Sequence, residues 1–172
     1  MGNKKQEQYH QTHVRIRHAF RDLCLQKELS QITVVDLAKA AGISRKTFYI
    51  HYQTIDELVE EIATEIYQEF LSSWLSNDRT AITIKSVSHK LNEIIQRDYD
   101  FHMRMICADS ADSLASRIQA LGLSNPELLH HLFPDKSLPE AQVLLFGFAN
   151  GLLSMYRYDY KNSLGLSLVD IV

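Results

Sequence analysis

Residues 33–52 read TVVDLAKAAGISRKTFYIHY, and their spacing predicts two short helices joined by a glycine turn. Val34, Leu37, Ala38 and Ala41 recur at i, i+3, i+4 and i+7, which sets one apolar stripe on a short helix. Ala38 and Ala41 are small where the following helix must cross closely. Gly42 stands where the chain reverses, a place where positive φ costs glycine almost nothing. Ile43 re-enters the core, Ser44 is a good N-cap for the next helix, and Phe48 lies about one turn further in as its anchor. Arg45, Lys46, Thr47 and Tyr49 are then left on the outer surface. Such side chains suit phosphates and the base edges of a major groove, arginine or lysine favouring guanine and threonine touching a thymine methyl. The pattern is that of a DNA-reading helix-turn-helix. A helical hairpin that merely packs is the alternative, and the joint fit of small residues, turn glycine, serine cap and basic outer face tells against it.

Working outward, Ile16, Phe20 and Leu23, with Ala19 and Cys24 beside them, predict a helix from Tyr9 to about Glu28. Arg15, Arg17, Arg21 and Asp22 lie largely off its stripe. Lys4 and Lys5 precede it, either within reach of a phosphate or as a solubilising tail. His10 and His13 are three apart but read as solvated polar residues, since no carboxylate or cysteine completes a metal site. After the motif, Ile55, Leu58, Val59, Ile62, Ile66, Phe70 and Leu71 keep helical spacing from Thr54 to about Leu75. Residues 76–80 read as a loop with Thr80 as a cap, followed by helices over 81–97 and 101–108. Leu114, Ile118 and Leu121 mark another helix ended by Gly122, and Pro126 opens one that stops near Pro134. Ser137 and Pro139 start a last helix reaching about Lys161. That helix is apolar nearly all round. The expected fold is all-α, a three-helix head over residues 1–53 and a helical bundle over 54–172.

The chain has 172 residues and a net charge of −3, but the charge is unevenly placed. Residues 1–52 carry nine Lys or Arg against four Asp or Glu, while residues 53–172 carry nine against seventeen, or +5 and −8. A basic head is drawn to phosphates and an acidic body keeps DNA off the remaining surface. Only Cys24 and Cys107 are present, far apart, so neither a disulfide framework nor a zinc site is suggested and a reduced, cytoplasmic setting is the default. The N-terminus lacks a signal-peptide core. The longest apolar run, residues 141–156, is shorter than a membrane span needs. No GxSxG elbow, phosphate loop, HExxH or dinucleotide fingerprint points to an enzyme, and no cofactor or metal is expected.

Ile32 to about Ile62, with Thr33, Asp36, Ala38, Ala41-Gly42-Ile43-Ser44, Thr47-Phe48-Tyr49, His51-Tyr52 and Asp56-Glu57-Leu58, resembles the TetR family of bacterial transcription regulators. The resemblance implies an all-helical homodimer, with three N-terminal helices for DNA and a C-terminal domain for dimerisation and effector sensing. Its DNA contacts would fall on Thr33, Ser44, Arg45, Lys46, Thr47, Tyr49, His51, Tyr52 and Thr54. The partner would be double-stranded DNA carrying a palindromic operator. One departure matters. Family members commonly carry a phosphate-contacting lysine at the start of the following helix, and here Ile55 stands there, leaving backbone amides capped by Thr54 to hold a phosphate. That gap favours the rival reading, a helix-turn-helix protein-interaction module that does not read DNA specifically.

For the body the resemblance implies dimerisation through the last long helix and one earlier helix, so Gly147, Gly151 and Ser154 on one face are candidate dimer contacts, with internal packing as the alternative. Tyr67, Phe70, Trp74, Phe101, His102, Met105, Asn150 and Tyr156 are candidates to line an effector cavity, with plain core as the alternative. The Gly-Leu-Leu segment at 151–153 and the ending GLSLVDIV loosely resemble the TetR-like group associated with dihydroxyacetone kinase operons, where the effector can be a protein. Small molecule or protein, repressor or activator, both choices stay open.

Overall fold

The computed structural model describes residues 2–75, 83–108 and 113–165. They form nine α-helices and one short 3-10 turn, with no strand among the described residues. By contacts the chain divides into two compact units, residues 1–61 and 62–172. The contact division falls within a helix. Leu58 is wholly buried and Glu61 binds three side chains of the first unit, so the opening turns after residue 54 belong with the head.

The head comprises α1 (Gly2–Gln26), α2 (Val34–Ala40), α3 (Arg45–His51) and the start of α4 (Ile55–Leu75). Its α1 begins before the expected Tyr9, through exposed polar residues that carry no apolar period. Ile16 and Phe20 of α1, Leu37 of α2, Phe48 of α3 and Leu58 of α4 have no exposed surface. The entry to α2 is closed by a capping box, in which Thr33 Oγ1 accepts from Asp36 N at 3.2 Å and Asp36 Oδ2 accepts from Thr33 N at 3.0 Å. Lys27 Nζ adds a 2.6 Å bond to the same carboxylate. That bond first, and the two from Thr33 next, hold the Asp36 carboxyl down at about 2.

The turn out of α2 is a Schellman motif. Gly42 N donates to Lys39 O at 3.1 Å and Ile43 N to Ala38 O at 2.9 Å, with Gly42 at φ 62°. Arg15 Nη2 reaches across from α1 to donate to the carbonyls of Ala41 and Gly42, the latter at 3.0 Å. A Cβ on Gly42 would stand 2.8 Å from that nitrogen. The dihedral is what requires glycine, and any side chain there would also displace the guanidinium lying over it.

The body comprises the rest of α4 with α5 (Ile84–Gln96), α6 (Tyr99–Cys107), α7 (Leu114–Leu123), α8 (Pro126–Leu132) and α9 (Leu138–Asn162). Thr83 caps α5, with its side chain accepting from Ser86 N. The expected loop and Thr80 cap fall outside the described residues. One core joins Ile95, Met103, Ile106, Ala115, Leu152 and Tyr156, and a second joins Tyr67, Phe70, Val87, Ile94 and Leu128. Gly122 does not end α7 but lies inside it, buried, where a Cβ would come 3.5 Å from Leu145 Cδ2. That is ordinary van der Waals contact, so a methyl group would fit between α7 and α9.

Candidate DNA-binding surface

Ser44 starts α3. Its Oγ accepts from Thr47 N at 3.0 Å and pairs with Thr47 Oγ1 at 2.8 Å, which fixes the first turn and ties both hydroxyls to the helix end. Phe48 pins the helix from below. Arg45 and Lys46 are exposed on its outer side, with Tyr49 at 41% and Ile50 at 62% exposure. Ile50 was not among the expected contacts. Its position, four residues after Lys46, could have pointed to it, but its apolar character suggests core. Thr33 and Thr54 sit at helix starts as caps, both exposed.

The end of α3 is held from within the head. Tyr52 is only 3% exposed, and its hydroxyl donates inward to Glu61 Oε1 at 3.0 Å while lying 3.2 Å from His13 Nδ1. The Tyr52 hydroxyl thus ties the end of α3 to α4. Glu61 Oε1 also takes His13 Nε2 at 2.9 Å and Arg17 Nη1 at 3.3 Å. One carboxylate thereby joins α1, α3 and α4. His51 stacks on Tyr9 with ring centroids 4.1 Å apart, and its buried Nδ1 has no hydrogen-bond partner.

Burial pushes the His51 imidazole below its ordinary value of 6.5, the neighbouring His13 adds to this, and Glu61 opposes it. The folded head then binds a proton at His51 less readily than the unfolded chain. Its stability is complete above pH 6.5 and declines as pH falls below it towards the lowered folded value. Tyr9, His13, Arg17, Tyr52 and Glu61 face this corner from α1, α3 and α4. Urea midpoints between pH 5.5 and 7.5 should fall more steeply towards acid for the wild type than for His51→Gln; equal slopes would remove His51 from the account.

At the start of α4, Thr54 Oγ1 accepts from Glu57 N at 3.2 Å, and Glu57 Oε2 takes the Gln53 amide at 2.5 Å. The Glu57 carboxylate and the Thr54 hydroxyl thus close the entry to α4. Ile55 stands here in place of a lysine, while the basic side chains of Arg45 and Lys46 are exposed on α3.

The candidate effector residues separate in the body. His102 and Tyr156 line an apolar cavity of about 110 Å³. Tyr67 and Phe70 belong to the neighbouring packed cluster, the Tyr67 hydroxyl accepting from Asn125 Nδ2 at 2.9 Å. Phe101 and Met105 are buried off the cavity, Asn150 is exposed and donates to Phe146 O at 2.8 Å, and the Trp74 side chain lies outside the described residues. On α9, Gly147, Gly151 and Ser154 are exposed beside Val143 (71%), Phe146 (54%) and Tyr158 (66%). A Cβ at either glycine would meet nothing within 4 Å.

A closed helix-turn-helix with a basic and aromatic outer face, followed by a separate helical body, defines a DNA-binding transcriptional regulator. Residues 16–62 match the family described as bacterial regulatory proteins, tetR family. The fold matches the crystal structure of a TetR transcriptional regulator from Rhodococcus sp. RHA1 at a TM-score of 0.56 and 15% identity, over 94% of this chain and 89% of that one. At that identity the likeness concerns the fold. Comparison with curated proteins gives no significant match. Among the described residues no helix is long and apolar enough to cross a membrane.

Proposed function

We propose that the protein acts in the cytoplasm as a two-fold dimer on a palindromic operator, and that an effector acting on the body sets its affinity for DNA. The observation that carries DNA reading is the exposed face of α3, where Arg45, Lys46, Tyr49 and Ile50 stand on a helix held by Ser44, Phe48 and Tyr52. Selection of bound duplexes from a random pool tests it. A palindrome or near-palindrome is expected, with half-site centres about 34–36 Å apart or a multiple of that, and affinity that falls steeply with salt. Binding that ignores both sequence and salt would leave the protein-interaction module as the better reading.

The dimer is supported by the apolar face of α9, which a soluble chain gains by covering. Gly151→Leu has open space around it within one chain. It should leave the unfolding midpoint at low protein concentration unchanged and raise the dimer dissociation constant at least tenfold in analytical ultracentrifugation. The opposite pattern, lost stability with an intact dimer, would assign this face to internal packing.

Helix α4 contributes residues to both units, which supports it as the element through which a bound effector biases the recognition helices. Linkage then requires operator DNA to change effector affinity by the same factor. A protein effector, as in the dihydroxyacetone-kinase-associated group, would use the acidic outer body and obey the same reciprocity. Most of the terminal GLSLVDIV segment behind that kinship lies outside the described residues.

A further inference from the structure

Among the described residues of the head, no large hydrophobic side chain is more exposed than Ile50, at 62%. Its place on α3 gives that exposure a use. Successive residues of an α-helix turn by about 100°, so Ile50, two residues after the wholly buried Phe48, points nearly away from the core. Lys46, two residues before Phe48, does the same, and the pair stands four apart on one face. A helix that enters a groove with Phe48 at its back presents these two side chains to the bases. Thr47 between them is half-buried, its hydroxyl paired with Ser44 Oγ at 2.8 Å. The purely hydrocarbon part of the outer face is therefore Ile50.

We propose that Ile50 reads the C5 methyl group of one pyrimidine in each half-site, so that thymine and 5-methylcytosine are accepted there while uracil and cytosine are both rejected. The inference rests on the reading of α3 as the helix that meets the bases and names the chemical group it selects. An isoleucine side chain neither donates nor accepts a hydrogen bond, and base edges in the major groove are donors and acceptors except for the thymine methyl. Set against a purine nitrogen, a carbonyl or an amino group, Ile50 would strip water from a polar edge and return nothing. Against a methyl group, both partners leave water. The side chain is also stiff, since branching at Cβ leaves one strongly preferred χ1 in a helix, so its carbons keep a fixed place relative to Lys46. Four residues of helix rise about 6 Å, which sets the pyrimidine within about two base pairs of the base that Lys46 contacts. By the same chemistry, a half-site carrying cytosine at this place gains affinity when it is methylated at C5.

The test measures binding of the full-length protein to its selected operator with single thymines replaced by deoxyuridine, which removes the methyl group and leaves base pairing unchanged. One position in each half-site should respond, about fourfold per methyl group and about fifteenfold when both half-sites are changed. Cytosine placed there should be improved about fourfold by C5 methylation. Ile50→Ala should bind the thymine and uracil duplexes equally, and the cytosine and 5-methylcytosine duplexes equally. Its urea midpoint should stay at the wild-type value, because the side chain lies at the surface. Val35→Ala removes the exposed aliphatic side chain of α2 and should keep both preferences. Uracil tolerated at every thymine, discrimination that survives Ile50→Ala, or discrimination lost in Val35→Ala would overturn the assignment. A protein that selects its operator yet ignores the methyl group keeps DNA reading and loses this inference, whereas one that selects no duplex loses both.

Discussion

Phe48→Ala should lower the stability of the head by about 3–5 kcal/mol, the usual cost of emptying a wholly buried phenylalanine site. DNA binding should disappear with it at 37 °C. Phe48 is 0% exposed and is the side chain that seats the recognition helix. The helix has only seven residues, too few to hold its shape alone. Its order comes from Phe48, the Ser44 cap and the Tyr52 tie. Phe48→Leu keeps most of the volume and should cost far less. Urea unfolding followed by circular dichroism separates the variants, and a midpoint for Phe48→Ala within error of the wild type would mean that α3 is held by something else.

Lys46→Ala should reduce affinity for the selected operator by about 1–3 kcal/mol, roughly five- to 150-fold, and relax the base preference at one position of each half-site. Lys46 is exposed in the first turn of α3 beside Arg45, where side chains reach base edges when such a helix enters a major groove. Arg45→Ala and Tyr49→Phe should instead weaken all sequences alike, because phosphate contacts position without specifying. Repeating the duplex selection with each variant reads the difference. An unchanged selected sequence and an unchanged affinity for Lys46→Ala would move base reading elsewhere on α3, with Ile50 the next residue to examine.

The head was legible in the sequence because its signals are local. Thr33 and Ser44 announce helix starts by their own hydroxyls, Gly42 announces a left-handed turn, and Phe48 stands one turn beyond a cap; all four do in the fold what their chemistry suggests. Arg15 was read as a polar residue off the stripe because its partners lie 26 and 27 residues away, a distance at which no sequence period operates. The bond from Tyr52 to Glu61 was not legible either, because only the fold brings that carboxylate to the hydroxyl. In the body, Tyr67 and Phe70 fill their space as plain core does, while the cavity opens mainly among aliphatic residues. Composition tells which side chains are buried but not which of them border empty space.

The guanidinium of Arg15, resting on the Ala41 and Gly42 carbonyls, bears on the thermodynamics of DNA association. The turn is already closed in the free chain, so the loss of backbone freedom that shapes it belongs to folding and not to complex formation. Two helices that arrive as one preformed piece bury little new apolar surface within the head when they meet the groove. The heat-capacity change of association should then be small for a protein that must fold nothing in order to dock.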